Sequence, residues 1–312
     1  MPKVLERTLN VTGALKGRIP SSLSSWFQLL RWNKPSGRLI LLIPAGWSLW
    51  LAPSSPPSAL LVIQILVGGL VVSAAGCIAN DLWDRRFDRE VERTQGRPLA
   101  RGRLTITTAV VTLLLLLLAS LGVVLTLPET SRQLSLGLAL LALPPILLYP
   151  SAKRWFPFPQ AVLAFCWGFA VLIPWAASES SLALTPELAG CWLATVVWTF
   201  GFDTVYAMAD RPDDRRLGLR SSALTLGAST GVVVMGCYAV AVLGLGGAAL
   251  SAGLGWVFWV CWLLGGAGML LEARQLRPDR QDAMSVYGRH FQHQVWLGAL
   301  LLLGLVLGGQ PL

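Results

Sequence analysis

The apolar runs of this chain constrain its fold more than any other feature. Runs of about 20 residues with few charges recur along the sequence, and a helix of that length crosses a hydrocarbon core about 30 Å thick. Only 13% of the 312 residues are charged, whereas soluble domains carry about a quarter. So few charges cannot cover a water-facing surface, and we therefore predict a polytopic membrane protein.

The polar breaks between the runs divide the chain into nine predicted transmembrane helices. We expect an all-α fold in which these helices surround a central cavity. Residues 1–35 are expected to form a cytoplasmic N-terminal segment, and residues 36–312 the transmembrane domain. The predicted spans are 36–52, 59–79, 107–127, 133–149, 157–177 (with Pro159 and Pro174 inside it), 187–202, 221–245, 254–271 and 291–309.

The basic residues predict an orientation for this layout. All of the 25 Lys and Arg residues except Arg132 fall on one side of the predicted membrane, with Arg38 just inside the first span. Cytoplasmic loops carry such an excess of positive charge. We therefore place the N-terminus in the cytoplasm and the C-terminus on the opposite side. The net charge of +9 follows from this topology and gives no reason to expect nucleic acid as a partner.

The N-terminal segment carries a second membrane signal. The stretch "SSLSSWFQLLRW" places Leu23, Trp26, Phe27 and Leu30 at helical spacing, which is typical of a helix lying along a membrane surface. Several basic residues precede this first apolar cluster, so we do not expect a signal peptide.

Two aspartate-rich stretches follow predicted spans on the cytoplasmic side. "NDLWDRRFD" (residues 80–88) follows the second span, and "DTVYAMADRPDD" (residues 203–214) follows the sixth. Equivalent stretches an even number of crossings apart suggest a parallel internal duplication, in which both halves offer carboxylates to one shared cavity.

The spacing within the two stretches favours a metal site. Asn80, Asp84 and Asp88 are four residues apart, so a helix continuing through them would place their oxygens on one face. Asp210 and Asp214 repeat this spacing. Converging carboxylates repel one another unless a cation intervenes. Oxygen ligands favour a hard ion, and Mg²⁺ fits best because it keeps positions for water and phosphate oxygens.

Histidine and cysteine do not offer an alternative metal site. No His–Cys cluster suits zinc. His290 and His293 have too few neighbouring ligands for a metal pair, and we interpret them as interfacial residues.

Basic stretches accompany the aspartates. "REVERTQGRPLARGR" (residues 89–103) follows the first motif, and "YPSAKRW" (residues 149–155) lies between the two motifs. Mg²⁺ together with Arg and Lys is an arrangement suited to a diphosphate, because both neutralise charge on a departing pyrophosphate. For the individual arginines, an ordinary solvated loop charge is the alternative interpretation.

These stretches resemble the signatures of the UbiA superfamily of intramembrane aromatic prenyltransferases. "NDLWDRRFD" matches NDxxDxxxD, and "DTVYAMADRPDD" matches DxxYAxxDxxDD. "RWNKPSGRLILLIP", "RTQGRPLARG" and "YPSAKRWFPFPQ" also match, and the resemblance covers about residues 29–300. Within the family, the second motif and the stretch "KPSGRLILLIP" are most similar to those of 4-hydroxybenzoate polyprenyltransferases of the cyanobacterial type. "FQHQVWLG" (residues 291–298) departs from the asparagine-rich element that the family often has there.

The resemblance implies an activity. The enzyme would transfer a long polyprenyl group from an allylic prenyl diphosphate to the ring carbon ortho to the hydroxyl of 4-hydroxybenzoate, using Mg²⁺. The product would serve ubiquinone or plastoquinone biosynthesis. The expected location is the inner membrane of a bacterium of the cyanobacterial type, with the prenyl tail held in the apolar interior of the protein and open to lipid.

The resemblance also implies roles for particular residues. The magnesium ligands would be Asn80, Asp84, Asp88, Asp210 and Asp214. The four aspartates among them and Tyr149, which would orient the donor or stabilise the allylic cation, are the expected catalytic residues.

Substrate-binding roles are expected for a second set. Arg93, Arg97 and Lys153 would contact the diphosphate, and Arg38 would receive the benzoate carboxylate. Asp203, Tyr206 and Asp213 would support the second motif. Asp81 ranks below Asp84 as a ligand because it falls off the shared helix face.

Three other interpretations stay open from the sequence. A transferase of this family could use another acceptor, such as homogentisate, a naphthoate or a chlorophyllide. A membrane CDP-alcohol phosphatidyltransferase also uses aspartates and Mg²⁺, but its DGxxAR core is missing here. A cation transporter would need acids within the spans, whereas these acids cluster at the cytoplasmic ends.

Overall fold

The computed structural model describes residues 21–33, 36–276 and 283–309. These residues are largely helical, and no strand occurs among them, which confirms the all-α prediction. Residues 1–20 of the predicted N-terminal segment lie outside the described residues. The domain division at residue 36 stays a prediction.

In the part of the chain that the structure describes, one short helix precedes the bundle, and long apolar helices form the bundle itself. The helices are α1 Ser21–Leu29, α2 Ser36–Leu51, α3 Ala59–Asp84, α4 Ile106–Leu125, α5 Glu129–Leu148, α6 Pro159–Glu179, α7 Pro186–Met208, α8 Arg211–Arg216, α9 Ser222–Leu226, α10 Thr230–Ser251, α11 Trp256–Arg274 and α12 Ala283–Gly308.

The predicted number of spans is approximately right. In the part of the chain that the structure describes, eight helical segments are long and apolar enough to cross a membrane. The remaining predicted span corresponds to α2, which has 16 residues. Large apolar side chains such as Leu118, Leu243 and Leu263 lie exposed on the outside of the bundle. Such an exterior suits lipid, because hydrocarbon is as apolar as these side chains.

Local sequence signals explain where several helices begin. Ser58, Thr105 and Thr185 each accept a hydrogen bond from the backbone N–H three residues on, and thereby cap α3, α4 and α7. Pro159 is the first residue of α6, a position that requires no backbone N–H. The span therefore contains both Pro159, as its first residue, and Pro174, as predicted.

Helices α3 and α7 extend past their predicted ends and carry residues of the two aspartate motifs. α3 continues to Asp84, so Asn80 and Asp84 belong to its last turns. It does not continue to Asp88, which lies in a separate 3₁₀ turn, and the expected single helix face is therefore wrong for this residue. Contacts with the following loop determine the position of Asp88, since Arg97 Nη1 donates to its carboxylate at 2.8 Å and Thr94 Oγ1 donates to its carbonyl at 3.3 Å.

The largest core cluster connects α2, α6 and α7 with α10, α11 and α12. Trp47 and Trp198 are fully buried with ring centroids 5.0 Å apart, and Phe202 packs edge-on against Trp198. Gly298 permits this approach, because a β-carbon there would lie 2.7 Å from the Trp198 ring. These aromatic contacts fix α7, and with it the second aspartate motif, against the first helix of the bundle.

The stretch "FQHQVWLG" lies on α12 and contributes to packing. Gln294 accepts a hydrogen bond from Trp198 Nε1 at 2.9 Å. His290 is buried and lies 2.8 Å from the Tyr238 hydroxyl, so the interpretation of His290 as interfacial was wrong. His293 is half exposed and hydrogen-bonds Glu272, its neighbour on α11.

Candidate active site

A polar cavity of about 290 Å³ lies at the end of the bundle where α3 and α7 terminate. The predicted site residues that line it are Asn80, Asp84, Asp88, Arg93, Arg97, Tyr149, Lys153, Asp203, Tyr206, Asp210 and Asp214. Residues separated by more than 100 positions in the chain therefore meet in one place.

Carboxylates and cations are paired across this cavity. Arg93 grips Asp210 through two hydrogen bonds, at 2.8 Å from Nε and 2.5 Å from Nη2. Lys153 Nζ lies 2.5 Å from Asp84 Oδ2. Arg97 pairs in the same way with Asp88. Each of the three residues expected to contact the diphosphate is therefore ion-paired with an expected metal ligand. The Arg93–Asp210 bridge also joins the loop after the first motif to the second motif.

Two tyrosines connect the polar groups to the helices. The Tyr149 hydroxyl accepts a hydrogen bond from Asn80 Nδ2 at 3.0 Å. The Tyr206 hydroxyl accepts one from Arg93 Nη1 at 2.9 Å, and the Arg93 guanidinium lies 5.0 Å from the Tyr206 ring centre. Phe291 of α12 packs against the Tyr206 ring with centroids 5.5 Å apart. The aromatic residues thus hold the amide and the guanidinium in place.

Burial and neighbouring charges shift the pKa values of two loop residues of the site, Asp214 and Arg93. Burial raises the pKa of Asp214 to about 7, and the nearby Asp210 carboxylate adds to the rise. Burial alone would lower the pKa of Arg93, but Tyr206 and Asp210 outweigh it, so the pKa is raised. An additional cation near Asp214 would favour its charged form.

The donor set fits Mg²⁺ by its chemistry. Among the described residues, no three Asp, Glu, His or Cys side chains form a ready-made metal cluster. Mg²⁺ does not need one, since it typically takes one or two carboxylates together with water and substrate phosphates. The cavity offers such oxygens from both motifs, on Asn80, Asp84, Asp88, Asp210 and Asp214.

Arg38, the expected binding residue for the benzoate carboxylate, does not line this cavity. Its side chain is buried at 4% exposure, and the guanidinium stacks 4.5 Å from the Trp32 ring centre. Within the described part of the chain, its Nε and Nη2 have no hydrogen-bond partner. Two donors of a buried cation are therefore available for an acceptor oxygen.

Two aspartates of the motifs point elsewhere. Asp81 is fully buried behind the cavity, where its Oδ1 receives Arg31 Nη2 at 2.5 Å and lies 3.2 Å from Arg97 Nη1. Asp213 is one-third exposed and pairs with Arg216 at 3.1 Å. Asp213, which was expected to support the second motif, therefore lies outside the cavity lining.

Sequence reasoning missed two basic residues of the cavity wall, Arg31 and Arg220. Arg220 is held by the neighbouring loop, since its backbone N–H bonds the Lys153 carbonyl at 2.8 Å. Arg31 is the first residue of "RWNKPSGRLILLIP". That match was the available signal, but nothing in its spacing indicated that the residue reaches the aspartates.

A second, mainly apolar cavity of about 160 Å³ lies deeper in the bundle, between α2, α3, α4, α5 and α6. The two cavities share α3 and α6 in their walls. On α3, Cys77 and Asn80 line the polar cavity, and Val72 and Ala75 line the apolar one. An apolar chamber therefore lies below the charged groups.

The arrangement defines a membrane enzyme with a charged mouth above an apolar chamber, and comparison with known proteins agrees. The pattern of the UbiA prenyltransferase family matches residues 41–297. The chain belongs to the UbiA prenyltransferase family, which confirms the resemblance inferred from the motifs.

Characterised relatives match over nearly the whole chain. The 4-hydroxybenzoate solanesyltransferase of Synechocystis sp. is 42% identical over 292 residues, covering 93% of this chain and 98% of that protein. The 4-hydroxybenzoate octaprenyltransferase of Tolumonas auensis is 37% identical over 295 residues, with 93% and 98% covered.

Solved structures share the fold. A UbiA homologue from Aeropyrum pernix superposes with a TM-score of 0.71 at 23% identity, covering 86% of this chain and 97% of that one. A UbiA homologue from Archaeoglobus fulgidus bound to GPP and Mg²⁺ gives a TM-score of 0.63 at 18% identity, with 89% and 99% covered. The helical architecture of this chain is therefore that of the family.

Proposed function

We propose that this protein is a Mg²⁺-dependent 4-hydroxybenzoate polyprenyltransferase of prenylquinone biosynthesis. The observation that carries the proposal is the meeting of both aspartate motifs with Arg93, Arg97 and Lys153 in one cavity, directly above an apolar chamber. A donor with a charged head and a long apolar tail requires such a site. The 42% and 37% identical relatives, a 4-hydroxybenzoate solanesyltransferase and a 4-hydroxybenzoate octaprenyltransferase, support this acceptor.

The mouth of the cavity would bind the diphosphate of the donor. Arg93, Arg97 and Lys153 are only partly exposed, at 16–24% of their side chains, so their charge is little screened by solvent. On donor binding, these side chains would exchange carboxylate oxygens for phosphate oxygens. Bound Mg²⁺, held by oxygens of the two motifs, would supply positive charge that stabilises the departing diphosphate.

The transfer is an electrophilic alkylation of the acceptor ring. The C–O bond between the prenyl group and the diphosphate breaks, and the electron pair leaves with the diphosphate. The ring carbon ortho to the phenol then forms a C–C bond with the allylic cation, and the ring loses its proton there. Tyr149 and Tyr206, whose rings line the cavity, would stabilise the cation through their π faces.

The apolar cavity would receive the first isoprene units of the tail and keep water from the cation. At about 160 Å³ it is smaller than the roughly 300–1,000 Å³ of pockets that enclose drug-sized ligands. The remaining tail would therefore extend into lipid between the helices.

Arg38 would bind the carboxylate of the acceptor. Burial of a guanidinium whose Nε and Nη2 have no hydrogen-bond acceptor costs free energy of folding. An anion that accepts hydrogen bonds from these nitrogens would offset that cost. A benzoate carboxylate can accept two parallel hydrogen bonds from these two nitrogens. The side chain would have to turn towards the polar cavity, or the acceptor would enter beside Trp32.

The charged mouth is proposed to face the cytoplasm, because all Lys and Arg residues but Arg132 fall on that side of the predicted spans. Soluble acceptor and diphosphate would then be exchanged with the cytoplasm, while the lipid product stays in the membrane.

The experiment uses purified protein in detergent with radiolabelled 4-hydroxybenzoate, a long-chain prenyl diphosphate and Mg²⁺. We expect radiolabel in the lipid extract, and its loss with EDTA and recovery with added Mg²⁺. Transfer to homogentisate or a naphthoate but not to 4-hydroxybenzoate would overturn the acceptor. No transfer to any acceptor, from protein that is folded by its melting curve, would overturn the transferase proposal.

A further inference from the structure

Arg31 reaches the polar cavity from outside both aspartate motifs. It follows α1, the short helix that precedes the transmembrane bundle, and its side chain lines the cavity at 22% exposure. The same helix is anchored by Leu29, which is fully buried in a cluster with Ile78 and Leu99. The position of Arg31 relative to the first motif is therefore fixed by packing.

The backbone at Arg31 is in a conformation that normally selects glycine. Its φ is +57°, and the bonds Arg31 N–H to Gln28 O and Trp32 N–H to Phe27 O form the double closure that ends many helices. Glycine usually occupies this left-handed position because a β-carbon is disfavoured there. An arginine at such a strained position points to a function of its side chain.

Asp81 holds this side chain at the cavity edge. The fully buried Asp81 Oδ1 receives Arg31 Nη2 at 2.5 Å and lies 3.2 Å from Arg97 Nη1, so one carboxylate orients two arginines. A guanidinium has five N–H donors, and the contact with Asp81 occupies only part of this set. The remaining donors are available to an anion in the cavity.

We propose that Arg31 is a further diphosphate-binding residue and that Asp81 is its positioning residue. The inference rests on the proposed function, because it assigns a residue to the donor site. Arg31 shares Asp81 with Arg97, which places it beside the expected diphosphate contacts. Asp81, which does not reach the cavity, thereby gains a role that does not involve metal binding.

The test exploits the backbone of this position. Arg31→Gly removes the guanidinium and suits the left-handed conformation, and Arg31→Gly combined with Asp81→Asn also removes the buried carboxylate that would lose its partner. Ser180→Gly is the matched control, because Ser180 also has a positive φ, +56°, at the end of α6. Binding of inorganic pyrophosphate with Mg²⁺ is measured by calorimetry, and KM is measured for donor and acceptor separately.

We expect Arg31→Gly to weaken pyrophosphate binding by about 10- to 100-fold, the effect of losing charge-assisted hydrogen bonds. The donor KM should rise similarly and the acceptor KM should not change. Tm should fall in Arg31→Gly, because the buried Asp81 loses a partner, and should recover when Asp81→Asn is added, while pyrophosphate binding stays weak. Arg31→Lys, which keeps the charge, should recover part of the affinity. Asp81→Asn should raise the donor KM more than it lowers kcat.

Three outcomes contradict the inference. Pyrophosphate affinity of Arg31→Gly equal to that of Ser180→Gly would exclude a role in donor binding, and so would a rise in acceptor KM alone. Recovery of both Tm and pyrophosphate affinity in Arg31→Gly combined with Asp81→Asn would assign Arg31 a structural role. Failure of the wild type itself to bind pyrophosphate or to transfer a prenyl group would instead overturn the proposed function.

Discussion

At the scale of single residues, the site is built from charged pairs that cross between segments. Arg93 reaches from the loop after the first motif to Asp210, and Lys153 reaches Asp84 from the 3₁₀ turn after α5. Because each aspartate balances a cation at the cavity mouth, its removal affects the binding of the metal and leaves a cation without its partner.

Replacement of Asp84 or Asp210 with Ala should therefore abolish prenyl transfer, with a loss of roughly 100-fold or more, as when one stabilising group of a transition state is removed. Membrane insertion should be intact, since both residues lie at the mouth of the cavity and outside the aromatic core. Transfer of radiolabelled acceptor and the elution profile in detergent are the measurements.

Asp213→Asn is the matched control for these variants. Asp213 belongs to the same motif as Asp210 but is one-third exposed and pairs with Arg216. Transfer at the wild-type rate is expected. Equal loss in Asp213→Asn and Asp210→Ala would show that charge in the loop matters in general, and would contradict the specific role of Asp210.

At the scale of helices, α3 serves both cavities. Its last turns carry Asn80 and Asp84, and Gly68 and Gly69, lower on the helix, line the apolar cavity. A β-carbon at Gly68 would only touch Val123 of α4, at 3.4 Å, whereas one at Gly69 would meet Leu42 at 2.5 Å. Gly68 is therefore the glycine at which a side chain can fill the cavity with little strain on the helices.

Gly68→Leu should narrow the proposed path of the tail and discriminate between donors. Transfer from a donor with a single isoprene unit should be retained, because its tail is too short to reach Gly68. The kcat/KM for a long-chain donor should fall by roughly 10-fold or more, because a filled pocket rejects the added methylenes. The ratio of the two kcat/KM values is the measurement. Gly122→Leu on α4, where a β-carbon meets nothing within 4 Å, is the control and should leave the ratio unchanged.

At the scale of the whole molecule, the bundle separates a charged end from an opposite end with few charges. Gln95 lies in the loop of the charged end, and Ser181 lies between α6 and α7 at the other end. The proposed orientation places these two exposed residues on opposite sides of the membrane.

Single cysteines at these positions test the orientation in a variant whose five native cysteines are replaced by Ala. A membrane-impermeant maleimide should label Ser181→Cys in cells with a permeabilised outer membrane, and Gln95→Cys only after the inner membrane is opened. The reverse labelling would place the aspartate motifs outside the cytoplasm.

Much of this layout was predictable because the bilayer imposes simple rules on sequence. A span must be apolar over about 20 residues, so the helices could be located from the sequence, although α12 begins eight residues before its predicted start. The aspartate motifs could also be recognised from the sequence, because membrane topology does not require acidic clusters at the ends of spans. The parallel internal duplication is not decided by these features and stays a prediction.

Other features depended on contacts between distant segments. Local spacing placed Asp88 on a continuing helix, but Arg97 and Thr94 hold it in a 3₁₀ turn. His290 looked interfacial by its position near a span end, whereas packing against Tyr238 buries it. Burial of a single polar residue is decided by its neighbours in space, which spacing along one helix does not reveal.

The sequence by itself thus determined the class of the protein: apolar length and charge asymmetry set the spans, and the two motifs set the family. Only the tertiary structure decided which cation meets which carboxylate, that Arg31 joins the cavity, and that Asp81 stands behind it. The physical reason is the separation along the chain of the residues that interact. Hydrophobicity and helical periodicity act along the chain, whereas the ion pairs of the site join residues that approach one another only after the helices have packed.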